Sequence, residues 1–196
     1  MSTEQIDDLA LVMRETIEGV QRQFDEPDDD WLPMMGLVPQ DGENVMLAID
    51  ADWLVNDQSK DELVDKVMLP AIDGVGAKTI ATIFSAWMSV LPEDTKIEEM
   101  VRPSEDPDRV EAIILTVMDS FKIKTWVAEI DRVDGCPPAL MEWNEMPVNG
   151  FSGRFVDDVQ EALRDSSGET NPEFMKHLST QTQEIIGGIL EPESDE

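Results

Sequence analysis

A chain of 196 residues with 44 acidic and 14 basic side chains carries a formal charge of −30. A field of that sign opposes contact with DNA, RNA or an anionic membrane, because every phosphate approaches against it, and it favours basic partners. A single cysteine, Cys136, excludes an internal disulfide, and a single histidine, His177, leaves too few ligands for a structural zinc site.

The length suits one domain, expected over 1–190, with the acidic run EPESDE at 191–196 as a flexible tail. MSTEQIDDLA has neither a basic nor an apolar region of the secretory kind, and no apolar run reaches the ~20 residues of a membrane span. The expectation is a cytoplasmic protein without membrane attachment.

Ile6, Leu9, Met13, Ile17, Val20 and Phe24 recur at three- and four-residue steps, which predicts a first helix. Ser2 with Gln5 supplies its capping box, and DEPDDD with Pro27 ends it. Asp41-Gly42 between two apolar runs predicts a hairpin, with strands near 33–38 and 44–50. Ser59 and Glu62 read as a second capping box, opening a helix that runs to about Leu69. Pro70, Gly74 and Gly76 then interrupt. Ala77, Ile80, Ala81, Phe84, Trp87, Met88 and Leu91 form another helical stripe, so a second helix of about four turns is expected. Thr95–Val101 reads as a short helix. VEAIILTVMD at 110–119 is apolar on both faces and predicts a central buried strand, returned by FKIKTWVAEIDRV. Two helices close the chain, one over about 155–165 and one capped by Asn171 with Pro172 in its first position. Strands paired in hairpins rather than alternating with helices predict an α+β fold: an antiparallel sheet of at least four strands, with helices packed mainly on one face.

DGVGAKTI at 73–80 raises the question of phosphate. A nucleotide loop needs GxxxxGK followed by Ser or Thr directly after a strand, and the spacing here is GxGxKT. A DNA-gripping helix-hairpin-helix fits Gly74-Val75-Gly76 and Lys78 better, but Asp73 places a carboxylate where the phosphate would lie. The plain alternative is a hinge between two packed helices.

LAIDADWLVND suggests a second chemistry. An apolar strand ending in D-x-D would offer Asp50 as nucleophile and Asp52 as acid/base of a Mg²⁺-dependent phosphohydrolase, with Asp157-Asp158 as further ligands. That enzyme needs parallel βα units, and the hairpin predicted here is antiparallel. His177 reads as a helix-surface residue, and Cys136 has no adjacent basic group to activate it. Neither a cofactor nor a resident metal is expected. Trp31, Trp53 and Trp143, with Met34, Met35, Met141 and Met146, suggest instead an adaptable apolar docking patch inside an acidic rim.

DPDRVEAIILTVMD followed by WVAEIDRVDGCPPALMEW resembles uncharacterised proteins of actinobacteria and their phages. The residues that carry it are Arg109, Glu111, Ile130, Arg132, Gly135, Pro137, Pro138, Leu140 and Trp143, with Leu69-Pro70 and Ala86-Trp87 before them. The resemblance spans roughly 31–145 and implies a small cytoplasmic protein of bacterial or phage origin, without implying any mechanism. The reading is therefore a non-enzymatic, acidic protein-interaction protein whose partner presents a basic surface. Two alternatives stand beside it: a polyanion or DNA mimic that inhibits a nucleic-acid-binding protein, and the phosphohydrolase centred on Asp50 and Asp52.

Overall fold

The computed structural model describes residues 3–40, 43–89, 105–146 and 156–178. Helix α1 spans Thr3–Gln21, β1 Met34–Pro39 and β2 Val45–Ala48. A 3₁₀ turn at Ala51–Leu54 leads to α2 (Asp57–Leu63), a π-helical segment Val64–Met68 and α3 (Leu69–Val75). Strands β3 (Ala77–Met88), β4 (Val110–Asp119), β5 (Ile123–Asp131), β6 (Ala139–Leu140) and β7 (Asn144–Glu145) follow, then α4 (Val156–Asp165). Residues 172–178 are helical, with the Asn171 Oδ1 accepting the backbone N–H groups of Glu173 and Phe174 as expected of its cap.

The fold is α+β. The strands form one antiparallel sheet in the order β2-β1-β3-β4-β5-β6, with β7 also on β5. Its long centre pairs Ile80 with Met118, Ala81 with Val117, Thr82 with Thr116 and Ile83 with Leu115. Because side chains alternate along each strand, this register sorts the core into two layers. On one face Ile83, Ile113, Leu115 and Val117 meet Ile6, Leu9, Met13 and Ile17 of α1. On the other, Met35, Leu37, Ile80 and Met118 meet the helical segment 57–75 and α4 through Val64, Met68, Ile72, Val159 and Leu163. Most of the helices thus share one face, with α1 alone on the other. Ile6, Met13 and Ile17 are wholly buried, and each contributes about 1.5–3 kcal/mol of burial.

Three expectations change here. The stripe at 77–88 is a strand, not a helix. Both faces of β3 are covered, so apolar residues fall on both faces and a period of two is erased. The β-branched and aromatic run Thr79, Ile80, Thr82, Ile83 and Phe84 was the better guide. Pro70 does not end the preceding helix. The Leu69 N–H bonds back five residues to the Val64 carbonyl, and this wide turn absorbs the donor Pro70 lacks before α3 continues to Val75. The cap of α2 is Asn56 rather than Ser59: Asn56 Oδ1 accepts the Ser59 N–H at 2.9 Å, and Ser59 Oγ accepts the Asn56 N–H at 3.1 Å. The Ser2–Gln5 box, the Asp41-Gly42 turn, the Thr95–Val101 helix and the acidic tail lie outside the described residues.

Candidate functional site

The glycine turn is filled by the protein's own chain. Gly76 ends α3 in the left-handed region (φ 68°, ψ 36°) and sends the chain directly into β3. The hinge expected between two helices is thus a helix-to-strand corner. The backbone around Ser166–Phe174 lies against this corner. The Asn171 N–H donates to the Gly74 carbonyl at 2.8 Å, and the Thr170 hydroxyl donates to the Val75 carbonyl at 3.0 Å. The Lys78 ammonium donates to the Ser166 carbonyl. A Cβ on Gly74 would lie 2.4 Å from the Phe174 ring. Gly74, Gly76 and Lys78, which suggested a phosphate cradle, are used to hold residues 166–174 in place.

The predicted docking patch does not assemble. Trp31 is 3% exposed, donates its indole N–H to the Ile17 carbonyl at 3.3 Å and meets Phe24 edge-on. Met35 is fully buried in the layer on the opposite face of the sheet. Met34 and Trp143 pack at the margin of the α1 layer, and Trp53 at the margin of the other. Their positions at loops and strand ends suggested exposure. Instead, they close the ends of the two layers, so Trp31 and Met35 offer no surface to a partner.

Asp50 accepts the Asp52 N–H at 3.0 Å and thereby caps the 3₁₀ turn. Asp52, Asp157 and Asp158 are exposed. Among the described residues no group of three or more His, Cys, Asp or Glu is placed to share a metal ion. In DEPDDD, Asp29 Oδ2 accepts the N–H groups of Asp25 and Glu26, both at 2.8 Å, which makes the run a capped turn. His177 and Cys136 are exposed.

The residues that carry the resemblance have structural roles. Arg132 forks onto Glu111 with contacts of 2.7 and 3.0 Å and reaches Asp30 at 3.4 Å, tying β5 to β4 and to the acidic turn. The Glu111 hydrogen bond, with help from Asp30, holds the guanidinium pKa above its ordinary value. Arg109 stands over the Trp87 ring at 4.5 Å. Leu140 pairs with Ile130 as part of β6.

One concave feature is absent from any sequence motif. Between the sheet and the helical segment lies a cavity of about 310 Å³. Leu63, Val64 and Met68 form its roof, Phe84, Ile114 and Ile123 much of its floor, and Val156 and Val159 of α4 one end. Thr82 and Thr116 of the floor bring hydroxyls, and Lys60 brings an ammonium. Thr116 shares a hydrogen bond of 3.2 Å with buried Thr125. Only the register of β3, β4 and β5 places these threonines side by side, so no local pattern could reveal them.

No described helix is long and apolar enough to cross a membrane. No family model, curated protein or solved structure matches this chain.

Proposed function

We propose that this is a non-enzymatic, acidic interaction protein that binds a protein with a basic surface. The observation that carries the reading is how the cations are disposed against a net charge of −30. Lys124 is held by Asp7 and Glu145, Arg132 by Glu111 and Asp30, and Lys66 by Glu62. These bases are neutralised within the molecule, while carboxylates such as Asp52, Asp157 and Asp158 face solvent. Such a field accelerates encounter with a positive surface and rejects acidic competitors. The capping role of Asp50 and the absence of a shared ligand cluster among the described residues give hydrolysis no comparable support. A free, exposed Cys136 accords with a cytoplasmic setting, which we include in the proposal.

The experiment is a pull-down from bacterial lysate with the tagged protein at roughly 0.1 M and 1 M salt, where the screening length falls from ~10 to ~3 Å. The reading expects a reproducible basic partner at low salt that is largely released at high salt. Recovery of no specific partner, or of partners retained equally at both, would overturn it.

A further inference from the structure

We propose that the cavity between the sheet and the helical segment 57–75 is a binding site for a small amphiphile with an unbranched apolar chain and one carboxylate, a medium-chain fatty acid. This goes beyond the protein-binding reading and does not depend on it.

The space is an apolar pocket of about 310 Å³ that opens to solvent, so a ligand can enter and bury its apolar chain there. It is about twice the ~150 Å³ of an engineered apolar cavity that accepts benzene. It also falls at the low end of the ~300–1,000 Å³ range of ligand pockets. Its roof includes the π-helical stretch, where the helix departs from regular α geometry. The π-helical segment begins at Val64 and ends at Met68, and both residues line the cavity. Wide turns of this kind interrupt a helix at a cost and concentrate at functional sites. Here the wide turn shapes a roof rather than filling the space beneath it.

Two polar groups give the ligand a direction. Thr82 is 5% exposed and lines the cavity, so its hydroxyl can bond to a ligand lying there. Lys60 of α2, also in the lining, is half-buried. Lys66 is taken by Glu62 at 2.6 Å, whereas Lys60 stands in the cavity lining, where a ligand carboxylate would meet its ammonium. A single negative charge suits one ammonium, whereas a phosphate dianion would meet the molecule's whole anionic field with only one cation to offset it.

The test is titration of the full chain with decanoate, decanol and decylammonium, followed by heat or intrinsic fluorescence. The expected result is saturable one-to-one binding of decanoate, tighter than decanol, with decylammonium weakest. Lys60→Met keeps helix propensity and should lower decanoate affinity by roughly tenfold or more, leaving decanol affinity unchanged. Val159→Phe, which fills one end of the cavity, should weaken both. If that variant fails to fold, the decanoate and decanol comparison on Lys60→Met still decides. Absence of saturable decanoate binding would overturn the proposal. So would equal decanoate binding by Lys60→Met, or preference for decylammonium.

Discussion

Replacing Gly76 with alanine should cost about 2–5 kcal/mol. Two causes add. At φ 68° a side chain enters the left-handed region, a penalty of about 1–2 kcal/mol. In addition, an added Cβ would lie 2.5 Å from the Glu169 carbonyl oxygen and 2.7 Å from the Glu169 nitrogen. Those atoms are backbone, so relief requires residues 166–174 to move. Movement lengthens the 2.8 Å bond from Asn171 to Gly74 and the 3.0 Å bond from Thr170 to Val75, each worth about 0.5–1.5 kcal/mol net. Valine, branched at Cβ, should be worse. Asparagine separates the two causes. It tolerates the left-handed region but carries the same Cβ, so it should recover only the smaller part of the loss. Urea unfolding followed by tryptophan fluorescence measures this, and the loss should lower Tm by roughly 4–20 °C for a chain of this size. An alanine cost below about 1 kcal/mol, or full recovery with asparagine, would refute the steric argument.

Thr116→Val should cost about 1–3 kcal/mol because it leaves the buried Thr125 hydroxyl unpaired. The double change Thr116→Val with Thr125→Val should recover most of that in a denaturation cycle. Asn171→Ala should lose about 1 kcal/mol by uncapping the helix at 172–178, again read by urea unfolding. The Lys124 hydrogen bond to Asp7, with the charges of Asp7 and Glu145, raises the ammonium pKa above the ordinary 10.5. The stability this contributes is complete below pH 10.5 and is lost as pH rises through the raised value. Lys124→Met should therefore be less stable than the parent at neutral pH, with the gap closing in alkaline unfolding curves. A constant gap would contradict the pairing.

The sheet's centre was legible because β4 is an apolar run returned by β5 after a turn at Asp119, and α1 because one face is polar. β3 was not, since burial on both sides leaves no period to read and its apolar residues also satisfy a helical stripe. Pro70 misled for a related reason: local rules treat proline as a stop, and only tertiary packing supports the wide turn that lets α3 continue. Trp31 and Met35 lie beside turns in sequence, yet each is drawn into a different layer of the core by elements far along the chain. The cavity was invisible altogether. Lys60, Val64, Thr82, Thr116 and Val159 come from five elements and meet only in the folded chain.

The most direct test of the acidic interaction is the association rate of the partner recovered by pull-down, measured by stopped flow across a salt series. Electrostatic steering predicts an association rate that falls by about tenfold or more between roughly 0.1 M and 1 M salt, while dissociation changes far less. An association rate indifferent to salt would contradict it.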